Sequence, residues 1–97
     1  MPEKDDNQAP AKVENWEDQV KFDIYRVNTR VMNKFFASAG NNDFESIAEV
    51  FSICLLSIPK EWGDPQNIDD LLDNIPYPCM RQMLTMFQDA FKDAQKN

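Results

Sequence analysis

Histidine is absent from the 97 residues, so the side chain that most often serves as general base or metal ligand near neutral pH is missing. Only two cysteines occur, Cys54 and Cys79. They are too few for a disulfide framework, no bridge between them is expected, and the reading is a reducing cytoplasm. Without histidine, two cysteines hold a structural zinc only if carboxylates complete the set, which is uncommon. Glycine is equally scarce, at Gly40 and Gly63 alone. That argues against an all-β fold with its many tight turns. It also leaves no glycine-rich phosphate cradle, and Gly63-Asp64-Pro65 reads as a turn. The first residues, Met1 to Gln8, are charged and polar, so no signal peptide is expected. The longest apolar stretch, Ile47 to Ile58, carries Glu49, Ser52 and Ser57 and is too short to span a bilayer. There is no internal repeat and no low-complexity tract.

What is present is the composition of an ordinary globular chain, 42% hydrophobic and 11% aromatic. A chain of 97 residues has room for one core. Its net charge of −7 disfavours direct binding to nucleic acid or to an anionic membrane. The expected partner is another protein.

Residues 1–14, with Pro2, Pro10 and mixed charges, read as a disordered tail. The rest, 15–97, reads as a single domain. Asn15 is placed as the N-cap of a long helix, with Asp18 at its third position, and Gly40 as its stop after Ala39. On that helix Trp16, Val20, Ile24, Val27, Val31 and Phe35 line one stripe. Phe22, Tyr25, Met32 and Phe36 cluster on another side. A helix of about 25 residues is roughly 37 Å long, more than a domain this small can cover. Asn42 is read as the cap of a second helix, Asp43 to Ile58, apolar nearly all round and ended by Pro59. A loop from Pro59 to Gln66 leads to a short helix, Ile68 to Asn74, capped by Asn67. Pro78 suits the first turn of a last helix from about Cys79 to Gln95, striped by Met80, Leu84, Phe87, Phe91 and Ala94. The expected fold is all-α, a small bundle of three main helices plus one short one.

Candidate chemistry is sparse. Asp69, Asp70 and Asp73 lack the glycine and ligand spacing of a calcium loop and read as first-turn acids opposing a helix dipole. Cys79, close to Arg81 at a helix start that could lower its pKa, is the one weak nucleophile. The chain is read as a non-enzyme with no catalytic residue, no cofactor and no metal.

Three features point to a protein partner. Asp43 to Asp73 holds eight acids against one base, Lys60, a net −7 equal to that of the whole chain. It either solubilises the chain or steers a basic partner. Trp62, in a proline-flanked loop, either folds back over the core or stands out as an anchor. The second side of the first helix must be wrapped internally, dimerised or offered to a client. The candidate partner-binding residues are therefore Phe22, Tyr25, Met32, Phe36 and Trp62.

The order of these parts carries a resemblance over roughly residues 16–94. A long first helix precedes the buried helix Ile47 to Ile58. The turn Trp62-Gly63-Asp64-Pro65, the leucine and acid mini-helix Asp69 to Asp73, and the amphipathic helix Met80 to Phe91 follow. In this layout the chain resembles the tail assembly chaperones, small phage proteins encoded between the tail-tube and tape-measure genes. The resemblance implies a non-enzymatic protein of the host cytoplasm that keeps an aggregation-prone tape-measure protein soluble until tube protein polymerises around it. It implies no individual binding residue. The readings from the residues themselves are a module that shields a hydrophobic client, an acidic inhibitor or decoy that blocks a basic site on an enzyme, and a subunit of a helical oligomer.

Overall fold

The computed structural model describes residues 12–95, and most of the tail expected over 1–14 lies outside the described residues. The chain is mostly helical but not all-α. In order it forms a single-turn helix α1 (Trp16–Gln19), strand β1 (Lys21–Phe22), a 3-10 turn at Ile24–Arg26, and α2 (Thr29–Gly40). Then come α3 (Phe44–Cys54), strand β2 (Leu55–Ser57), a 3-10 turn at Lys60–Trp62, α4 (Ile68–Asn74) and α5 (Tyr77–Gln95).

The long first helix does not exist. It breaks after Gln19 because residues 20–28 have better partners elsewhere. Val20, Phe22, Ile24, Tyr25 and Val27 are β-branched or aromatic and pay rotamer freedom in a helix. Val20 turns extended (φ −91°, ψ 120°), and Lys21–Phe22 pair antiparallel with β2 through an irregular register. The Asp23 amide donates to the Cys54 carbonyl at 2.8 Å, while its carboxylate accepts from the Tyr25 amide at 3.1 Å. Asn28 then restarts the helix, its side chain accepting from the Val31 amide at 2.9 Å. Asn15 is no cap. It sits in the left-handed region (φ 58°) and its side chain caps nothing.

The second helix also stops early, at Cys54 rather than Ile58. Leu55 turns extended (φ −73°, ψ 127°), and β2 sends Leu55 inward while Leu56 faces solvent. The Ser57 hydroxyl donates to the Gln19 carbonyl at 2.7 Å and ties β2 to α1. At the other end of α3 the cap is Asp43, not Asn42. Its carboxylate accepts from the Ser46 amide at 3.3 Å and the Ser46 hydroxyl at 2.9 Å, while Asn42 takes the left-handed turn (φ 56°). The short helix has the expected bounds and the expected cap, Asn67 accepting from the Asp70 amide at 3.1 Å. The last helix starts at Tyr77, two residues before the expected Cys79.

Four phenylalanines mark the centre of the core, one each from β1, α2, α3 and α5. The Phe35 and Phe87 rings are 4.6 Å apart, Phe51 and Phe87 5.8 Å, and Phe22 lies 5.2 Å from Phe51 and 5.4 Å from Phe87. Offset and tilted pairs of this kind each add about 0.5–1.5 kcal/mol beyond the burial itself. The break after Gln19 is what lets Phe22 enter a core that Phe35 already reaches from α2. No helix among the described residues is long and apolar enough to cross a membrane.

Candidate functional site

The structure divides the five candidate contact residues. Trp62 folds back: it is fully buried, with its ring 5.6 Å from that of Trp16. The Asn74 side-chain amide fixes its backbone by donating to the Trp62 carbonyl at 2.9 Å. The 3-10 turn turns the indole inward, and Gly63 follows at φ 102°, where an added Cβ would sit 2.4 Å from the Asp70 carboxylate. Trp62 is a core residue, not a surface anchor. Phe22 is half-buried in the phenylalanine cluster and belongs to the core as well. Tyr25 and Phe36 are on the surface, 86% and 55% exposed. Met32 is buried one turn before Phe36 and forms the floor between them and α5.

Those three residues frame a groove on the side of α2 facing the end of α5. One hollow of about 460 Å³ is lined by Met32, Phe36, Gln88, Phe91 and Lys92. A second, of about 260 Å³, is lined by Ile24, Tyr25, Val27, Phe91 and Ala94. Phe91 lines both, so the two hollows adjoin at this side chain. Among the described residues none lining either is acidic, in a chain whose acids outnumber its bases 17 to 10. Phe91, Ala94, Ile24 and Val27 were assigned to core stripes by their spacing. Ile24, Val27 and Phe91 are half-buried and packed against the core, as that spacing expects, and line the hollows with the surface they keep. α5 has 19 residues against 12 in α2 and 11 in α3, about 28 Å against roughly 18 and 16 Å. The last turns of its apolar stripe lie beside Ile24, Tyr25 and Val27 rather than under α2 or α3 alone.

A smaller hollow of about 210 Å³ lies at the other end of α5, among Phe44, Leu71, Leu72, Ile75, Tyr77 and Met80. The Phe44 and Tyr77 rings meet edge to face at 5.3 Å, and the Arg81 guanidinium lies 5.9 Å from the Tyr77 ring centre. This end also carries the acidic α4.

The remaining reactive groups are subdued. Cys54 is buried, its thiol 3.5 Å from the Val50 carbonyl, and desolvation pushes its pKa up to about 12. Cys79, in the first turn of α5, does not gain the depressed pKa that a helix start could give. Burial raises it, and the Glu17 carboxylate from α1 pushes the same way. Both thiols are free. Asp70 of the acidic cluster is engaged internally, accepting from the Asp64 amide at 2.9 Å. No group of three or more histidine, cysteine, aspartate or glutamate side chains among the described residues could hold a metal ion.

Comparison with protein families, with curated proteins and with solved structures finds no match for this chain.

Proposed function

We propose that this chain is a non-enzymatic protein-binding module that shields an apolar segment of a client, in the manner of the tail assembly chaperones its layout resembles. The observation that supports the reading is the groove: Tyr25 and Phe36 stand exposed beside Met32 and Phe91 around hollows that no acidic side chain among the described residues lines. Exposed aromatics around a concave, largely apolar floor are what a client's side chains displace water from. The acidic middle of the chain keeps such a complex soluble. The groove takes the place of the rod-like helix face, which the break after Gln19 removes.

The test is co-expression with the product of the adjacent gene, the natural candidate for a tape-measure client. The client stays in the soluble fraction with the unaltered chain and precipitates with Phe36→Glu, whose own unfolding midpoint matches the unaltered chain. A client equally soluble with both, or with neither, contradicts the reading.

The clustered acids from Asp43 to Asp73 favour a second reading, an acidic decoy for a basic site on an enzyme. Salt separates the two. Decoy binding weakens steeply between low and high ionic strength, whereas an apolar contact barely responds.

A further inference from the structure

We draw no further inference here: the strongest candidate, the hollow among Met32, Phe36, Phe91 and Lys92 beside the end of α5, belongs to the groove already described, and with Asp89 one turn from Lys92 and Asp93 next to it nothing in the structure shows what covers it.

Discussion

Phe35 and Phe36 are neighbours in the chain with rings 5.9 Å apart, yet Phe35 is fully enclosed and Phe36 is 55% exposed. One turns into the cluster with Phe51 and Phe87, and the other stands at the rim of the groove beside Met32 and Phe91. Adjacent positions on a helix are 100° apart, enough to separate a core residue from a contact residue.

Truncating the two rings should therefore do different things. Phe35→Ala removes a ring from a closed core and costs about 3–5 kcal/mol in denaturant unfolding. Phe36→Ala changes stability by less than about 1 kcal/mol and weakens client binding. Equal destabilisation by the two would place Phe36 in the core.

Phe22 and Tyr25 make a second such pair. The sequence places both on one side of the first helix as candidate contact residues. In the structure Phe22→Glu puts a carboxylate against Phe51 and Phe87 and costs roughly 3 kcal/mol or more. Tyr25→Glu, at a residue 86% exposed, leaves the thermal midpoint nearly unchanged. Circular dichroism melts of the two variants check this directly.

Gly63 and Asp70 are coupled. With φ at 102° and 2.4 Å between an added Cβ and the Asp70 carboxylate, Gly63→Ala costs about 1–3 kcal/mol. Asp70→Ala removes the clash along with the hydrogen bond to the Asp64 amide. The double variant is then less destabilised than the sum of the singles, by about 0.5 kcal/mol or more in a double-mutant cycle. Strict additivity would mean that the strain lies in the backbone alone.

Cys54 gives a pH dependence of defined sign. Its pKa rises from the ordinary 9.0 to about 12 in the folded chain. Above pH 9 the unfolded thiol ionises while the folded one keeps its proton, so the unfolded state gains. The stabilisation is whole below pH 9 and is lost as pH rises toward 12. Unfolding free energy should fall more steeply over that window in the unaltered chain than in Cys54→Ala. Parallel curves would show that the thiol titrates normally.

The parts legible in the sequence were those fixed by local chemistry. Asn67 and the leucines after it define α4, and Pro78 sits in the first turn of α5, whereas Trp62, left open between core and anchor and kept among the candidate contacts, is buried. What misled was periodicity read without its competitors. The apolar spacing from Trp16 to Phe35 fits a helix, but Asp23 and Asn28 are also cap residues, and the stretch between carries β-branched and aromatic side chains that pair with β2. The same competition ended α3 at Cys54, because Leu55 to Ser57 could form the other strand. At the groove, Tyr25 and Phe36 are exposed, as expected of a side a small bundle cannot cover, whereas Met32 is buried. Phe91 reads as a core residue from its spacing and does pack half-buried against the core, and only the packing of α2 and the Ile24–Arg26 turn beside it shows the surface it keeps.

The account turns on where a client touches the chain, and aromatic-labelled NMR of the complex reads that position. Binding the client should shift and broaden the Tyr25, Phe36 and Phe91 rings while Phe44 and Tyr77 stay unchanged. Shifts confined to Phe44 and Tyr77, at the acidic end of α5, would contradict it.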